Sequence, residues 1–265
     1  MISDRPRIQH PLATLTASTL SITLGALPVF LVGALAVFIR PELGFSEARL
    51  GALATIYYLA SAGLTWLGGN VAQRLGGPRA MAVAAGLSLT SSIGIGLLAR
   101  SWTALAVFLA IAGVANALAF PASSLALARG VPFKRQGVAF GIKQSSALYA
   151  TMLAGAAVPL VGATIGWRWA FAFAGAAALP IIAGFGVTQP ASAHENGHGK
   201  EVERGPLWIL SVGAFFAVYA TASLGAFYVE SAVAGGVSAS LAGTLLAMGS
   251  IVGILGRTGW GWIGD

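Results

Sequence analysis

Apolar residues in this chain come in long blocks separated by short polar or glycine-rich breaks. Eight blocks stand out, at approximately 12–39, 47–67, 80–99, 103–128, 137–163, 169–188, 207–229 and 236–256. A hydrocarbon layer about 30 Å thick is crossed by about 20 helical residues, because backbone amides buried in lipid must bond within their own segment. Ala, Leu and Gly dominate the blocks and period-two alternation is absent, so the pattern predicts helices and not strands. The expected fold is an all-α membrane protein.

Composition strengthens that reading. The chain is 57% hydrophobic and 9% charged, whereas a soluble domain carries roughly 25% charged residues. Thirty-six glycines would weaken a soluble bundle, but in lipid small residues let helices approach closely. Gly137 with Gly141, and Gly249 with Gly253, have the spacing of such a contact, although this much glycine also produces it by chance. With no cysteine, disulfides and thiolate metal sites are excluded, and nothing in the pattern asks for a cofactor.

Fifteen Lys and Arg stand against eight Asp and Glu, a balance that in a soluble protein would suggest nucleic acid. Here the basic residues follow the connections. Arg5 and Arg7 precede the first block, Arg74 and Arg79 follow the second, and Arg129, Lys134 and Arg135 follow the fourth. Lys200 and Arg204 follow the sixth, and Arg257 closes the eighth. The other connections hold only Arg40, Arg49, Arg100 and Arg168, partly offset by Glu42 and Glu47. The positive-inside rule then places the N-terminus and the even-numbered connections in the cytoplasm of a plasma (inner) membrane protein, and nucleic-acid binding is dropped. Ala34-Leu35-Ala36 could end a cleaved signal, but the block at 12–39 is longer than a signal core and its removal would disturb the alternation.

The connections are short except at 190–206, which is polar and bounded by Pro190 and Pro206. It reads as a cytoplasmic linker between a six-helix bundle, 1–189, and the start of a second bundle, 207–265. His194 and His198 have a metal-ligand spacing on a helix, but Asn196, Gly197 and Gly199 around them favour solvated chain.

Four segments carry a resemblance. Gly68-Gly69-Asn70-Val71-Ala72-Gln73-Arg74-Leu75-Gly76-Gly77-Pro78-Arg79 is similar to the loop signature between spans two and three of the major facilitator superfamily of secondary transporters. Gly166-Trp167-Arg168-Trp169-Ala170-Phe171 resembles its turn from span five to span six. Pro121-Ala122 together with Arg135-Gln136-Gly137 resembles the end of span four and the start of span five. The terminal Gly256-Arg257-Thr258-Gly259-Trp260-Gly261-Trp262-Ile263-Gly264-Asp265 resembles the second copy of the loop signature. The resemblance implies a twelve-helix fold of two bundles, of which this chain would hold six helices and the first two of the next, stopping in the loop after span eight. It also implies alternating access, and a chain so cut is expected not to transport alone, with 207–265 loosely attached.

The same resemblance implies a gating loop of Gly69, Gln73, Arg74, Gly76 and Arg79, echoed by Gly261 and Asp265. The family's acidic position is Gln73 here, which weakens the first latch, while Asp265 keeps the acid. Topology enforcement alone would equally account for Arg74 and Arg79.

Ionisable groups inside spans are costly and therefore informative. Lys143 lies roughly 12 Å of helix beyond Arg135, where it either faces a central cavity and meets an anionic substrate or snorkels to the interface. Gln144 and Thr151 are placed near the same stripe, and Tyr58, Asn116 and Tyr219 are further cavity candidates. Interhelical hydrogen bonding is the other reading of these polar positions.

The interiors of spans one to six hold no Asp, Glu or His, so a proton-coupling carboxylate would be Glu230 or lie beyond the chain. Paired acid–base or metal-binding groups are missing, which argues against an enzyme. The expected function is movement of a small solute across the bilayer, with or without a co-transported proton or ion, tilted by Lys143 towards an organic or inorganic anion. A drug/proton antiporter is the alternative. Family members of that kind carry an embedded Arg in span four, which this chain lacks, and their helix-five signature stands here only in degraded form, as Gly155-Ala156-Ala157-Val158-Pro159. A non-transporting structural membrane fragment is the other.

Overall fold

The computed structural model describes residues 11–185, 212–213 and 222–264. Among them every regular element is helical: α1 (Pro11–Ala34), α2 (Ala36–Leu43), α3 (Glu47–Leu75), α4 (Gly77–Leu98), α5 (Trp102–Gly130), α6 (Gln136–Gln144), α7 (Ser146–Ala157), α8 (Trp167–Ala176), α9 (Leu179–Phe185), α10 (222–234) and α11 (Ala239–Gly264). Seven stretches of these are long and apolar enough to cross a membrane. The multi-pass all-α reading holds. The linker at 190–206, both linker histidines, Tyr219 and Asp265 lie outside the described residues.

Local chemistry sets the ends. Ser46 and Ser101 cap α3 and α5 by accepting from the backbone N–H of Arg49 and Ala104, satisfying amides that the first helical turn cannot pair. Gly44 ends α2 in the left-handed conformation at φ 65°, and Gly76 joins α3 to α4 at φ 81°, conformations costly for any residue with a Cβ.

Three expected features differ. Helix α3 continues well past 67, so Gly69, Gln73 and Arg74 lie on its last two turns and only Gly76 forms the connection. Gly261 likewise sits inside α11. Apolar composition marks where a helix can lie in lipid, but a helix with no breaker before Gly76 runs on beyond the apolar block. The expected single span at 12–39 is divided at Leu35, with the membrane-length stretch ending at Ala34, whereas 137–163 holds as one stretch, Gln136–Gly162, with a single turn residue at Ser145. Finally, Pro159 removes an amide donor and the chain answers with a π-helical turn over Val158–Gly162, as expected where the regular ladder is broken.

Helix α5 is central, packed against α3, α4 and α1. Small residues at these contacts permit this: a Cβ on Gly113 of α5 would come within 2.9 Å of the Ala60 side chain, and one on Gly77 of α4 within 2.9 Å of the Ala122 carbonyl oxygen. Helix α11 lies along α6 and α7. There a Cβ on Gly155 would stand 2.6 Å from the Gly243 carbonyl oxygen, and one on Gly261 would stand 2.7 Å from that of Gly137. Gly141 meets the Arg257 carbonyl oxygen at 3.0 Å in the same sense. The 137/141 pair is thus a helix contact, whereas Gly249 faces open space. Such close backbone approach is the membrane substitute for a hydrophobic driving force.

The connections carrying Arg40, Arg49, Arg100 and Arg168 gather at one end of the bundle. Trp102 donates to the Arg49 carbonyl at 3.0 Å, Arg168 donates to the Ala99 carbonyl at 3.1 Å, and Trp167 donates to the Glu42 carboxylate at 2.6 Å. This is called the Glu42 end below.

Candidate functional site

Lys143 sits one residue before the end of α6 and is 3% exposed. Its surroundings follow from the sequence Lys143-Gln144-Ser145-Ser146. The Ser145 hydroxyl donates to the Gly141 carbonyl at 3.0 Å, and the Ser146 hydroxyl donates to the Lys143 carbonyl at 2.6 Å. Such back-bonding competes with the helical ladder, and α6 ends there. The carbonyl of Gln144, at the break, accepts from the Arg257 guanidinium of α11 at 2.6 Å.

Around the break the polar groups of α1 and α7 interlock. Thr23 donates to the Ser146 carbonyl at 3.3 Å, and Ser146 also reaches the Thr19 carbonyl at 3.2 Å. Ser18 and Ser21 of α1 are also buried, with hydroxyl oxygens that meet no partner among the described residues. Sequence reasoning passed over this α1 group. The signal was present in Thr16, Ser18, Thr19, Ser21 and Thr23, a run of hydroxyls inside an apolar block.

The Lys143 ammonium points to α5. It donates to the Ser124 hydroxyl at 2.6 Å and lies 4.0 Å from the centroid of the Phe120 ring and 5.6 Å from that of Phe140. No carboxylate pairs with it among the described residues. Phe120 is itself 42% exposed, so its ring covers the ammonium on the open side of α5. A cation held by one hydroxyl and two ring faces keeps its charge uncompensated, and an anion entering past Phe120 would find a charge-assisted donor.

The other candidates separate. Asn116 donates to Ser61 of α3 at 2.9 Å, the interhelical bond anticipated as the plainer reading. Tyr58 packs edge-on against Tyr57 at 5.0 Å, and the buried Tyr57 hydroxyl donates to the Gly25 carbonyl at 3.2 Å. Gln144 is exposed on a different face from Lys143, and Thr151 is buried with its hydroxyl on the Ala147 carbonyl. Successive helical residues turn by about 100°, and the one stripe foreseen for 143, 144 and 151 does not form. Gln73, Arg74 and Arg79 are exposed at the other end of the bundle.

At the Glu42 end, Glu42 of α2 pairs with Arg168 of α8, which stacks 4.2 Å from the Trp167 ring centroid. Burial raises the Glu42 pKa, but the hydrogen bonds from Trp167 and Arg168 and the charges of Arg168 and Arg100 outweigh it, holding the carboxyl below its ordinary value. Arg40, also on α2, pairs with Glu230 of α10 and with Glu47 at 3.5 Å. A cleft of about 570 Å³ lies beside it.

The described helices are thus of lipid-crossing length, pack through glycine, and hold one buried cation with no carboxylate paired to it among the described residues. The family model of the Major Facilitator Superfamily matches residues 14–265, and the chain belongs to that family. It is 30% identical over 146 residues to a protein described as a probable sulfoacetate transporter, SauU, of Cupriavidus necator; the match covers 54% of this chain and 33% of that protein. The crystal structure of a D-xylose–proton symporter superposes with a TM-score of 0.66 at 16% identity, covering 91% of this chain and 66% of that one. The chain thus spans about a third of the curated relative and about two thirds of the solved structure. At that identity the structural likeness speaks for fold alone.

Proposed function

We propose that this chain belongs to a secondary transporter that moves a small organic anion by alternating access, with Lys143 as the cation that receives it. The observation that carries this reading is the Lys143 ammonium, buried without a carboxylate among the described residues and covered by Phe120. A buried charge left to a hydroxyl and aromatic faces is an expense for stability and an asset for recognition. The relative's printed substrate, sulfoacetate, is an anion and supports the same class.

Under this reading α1 to α9 form the first bundle and α10 with α11 open the second, joined by the linker at 190–206. The Glu42 end faces outward and the end bearing Arg74, Arg79, Arg129 and Arg135 faces the cytoplasm, in keeping with the charge distribution.

Equilibrium dialysis of labelled sulfoacetate against the purified chain in nanodiscs tests the assignment. Lys143→Ala should weaken binding about 10- to 100-fold, the range set by a hydrogen bond to a charged group of about 1.5–3 kcal/mol. Lys143→Arg should recover part of it, because a planar fork does not reproduce a compact ammonium. Unchanged binding by Lys143→Ala would reject the reading.

A further inference from the structure

Thr16, Thr19 and Thr23 fall three and four residues apart along α1, the spacing that puts side chains on one helix face. Thr16 is exposed at the end of α1 far from α2, whereas Thr19 and Thr23 are buried and Thr23 meets Ser146 of α7. The hydroxyl run therefore leads from the surface to the turn between α6 and α7. At its inner end the Thr19 hydroxyl is buried and meets no partner among the described residues.

Oxygen acceptors outnumber protons there. Thr23 has one hydroxyl proton and two carbonyls within reach, Thr19 at 2.8 Å and Ser146 at 3.3 Å. Ser146 likewise has one proton for the Lys143 carbonyl at 2.6 Å and the Thr19 carbonyl at 3.2 Å. When the shorter contacts take the protons, each longer one sets lone pair against lone pair. A cation resolves such a surplus, and an anion would deepen it. We propose that Thr19, Thr23 and Ser146 hold a small monovalent cation, sodium, through their hydroxyl and carbonyl oxygens, and that this ion accompanies the anion. Only the second half of that inference rests on the anion reading of Lys143.

The donor set selects the ion. Hydroxyls and carbonyls are neutral, which suits one positive charge, whereas divalent ions draw on carboxylates. Neither Thr nor Ser carries a proton as a carboxylate or imidazole does, so the group is not a proton relay. Size points the same way. Around an ion with oxygens at about 2.4 Å, calcium's range and sodium's, neighbours at right angles lie about 3.4 Å apart; the two longer contacts are 3.2 and 3.3 Å. Interrupted helices lend backbone carbonyls to sodium in membrane transporters, and here α6 gives way to α7 at Ser145.

The ion and anion sites also share a segment. Ser146 bonds the carbonyl of Lys143, whose ammonium reaches Ser124 of α5 at 2.6 Å. Two positive charges in one bundle repel, and an anion at Lys143 relieves that repulsion. Each ligand should therefore strengthen binding of the other by the same factor.

Scintillation proximity with radiolabelled sodium, on the purified chain in nanodiscs and choline buffer, tests the site without any anion. Binding should saturate and yield to unlabelled sodium, not to potassium. Thr19→Val keeps the side-chain shape and breaks no hydrogen bond among the described residues. It should weaken sodium about tenfold, the lower range for losing a polar contact to a charge, and Thr19→Ser should recover most of that. Ser21 is two residues from both threonines, hence on the opposite side of α1, and Ser21→Ala should change nothing.

Sodium should also tighten labelled sulfoacetate about tenfold over choline, within the usual range of coupling between sites. Lys143→Ala should keep sodium while losing the anion. No saturable sodium signal, as when only a buried water fills the group, or equal binding by Thr19→Val, would overturn the site. Sodium binding with no effect on sulfoacetate affinity would overturn the coupling. Sodium binding in a chain that takes no sulfoacetate would reject the anion reading and leave the sodium site standing.

Discussion

Two cations of this bundle sit in opposite company. Arg40, at the rim, has two carboxylates within reach, Glu230 and Glu47, and a backbone carbonyl besides. Lys143, deep between α5 and α6, has a serine hydroxyl and two phenyl rings. A cation with a fixed anion is a fastener: its energy is already spent on holding helices together. A cation without one is still able to interact with something that arrives. In a membrane protein the absence of the partner is the more telling observation, since leaving a charge uncompensated in lipid is costly.

Giving Lys143 the partner that Arg40 has is the strongest way to break this contrast. Ser124→Glu places a carboxylate where the hydroxyl now accepts the ammonium at 2.6 Å. Anion binding should fall about 100-fold, the upper range for losing a hydrogen bond to a charged group, while thermal stability holds or rises. Dialysis and a melting curve measure the two.

Removing a rim fastener sharpens the contrast from the other side. Arg168→Ala loses the Glu42 pair and the bond to the Ala99 carbonyl. With Glu42 46% and Arg168 34% exposed, solvent screens the pair, and the loss should be about 1 kcal/mol of stability. Anion affinity should not move. A smaller effect is expected from Asn116→Ala, which breaks the bond to Ser61 of α3. Interhelical hydrogen bonds in membranes average about 0.6 kcal/mol, and binding should again be unaffected, as chemical unfolding with parallel dialysis would show.

The smallest effect is that of acid on Glu42. Its folded pKa lies below the ordinary value, so its contribution is present above the unfolded pKa and is lost as pH falls through the folded one. Stability of the Glu42 end should decline on the acid side of the carboxylate range, and Glu42→Gln should flatten that decline. The comparison is made by melting curves at a series of pH values.

Much of the fold was legible because lipid makes one demand on every segment. Block length and glycine content announce helices and their close contacts, and the Gly137 and Gly141 contact is one such case. The charged side chains of the loops announce which connections share an end, as Glu42, Arg168 and Arg49 then do. Lys143 was legible as a cost. The side of the helix it faces was not, because Lys143 and Gln144 are both polar and pattern alone cannot say which of two neighbours turns inward.

What the sequence determined by itself was class: a helical, multi-pass membrane protein with no cysteine, since hydropathy and composition act residue by residue. Partnership was decided only by tertiary structure. Nothing local distinguishes Arg40, which meets Glu230 nearly two hundred residues away, from Arg168, which meets Glu42. Nor does any local pattern show that Phe120 lies over the Lys143 ammonium, or that hydroxyls of α1 answer the break at Ser145. Such pairings depend on which helix faces are brought together by backbone contacts at glycine, and those contacts exist only once the bundle has packed.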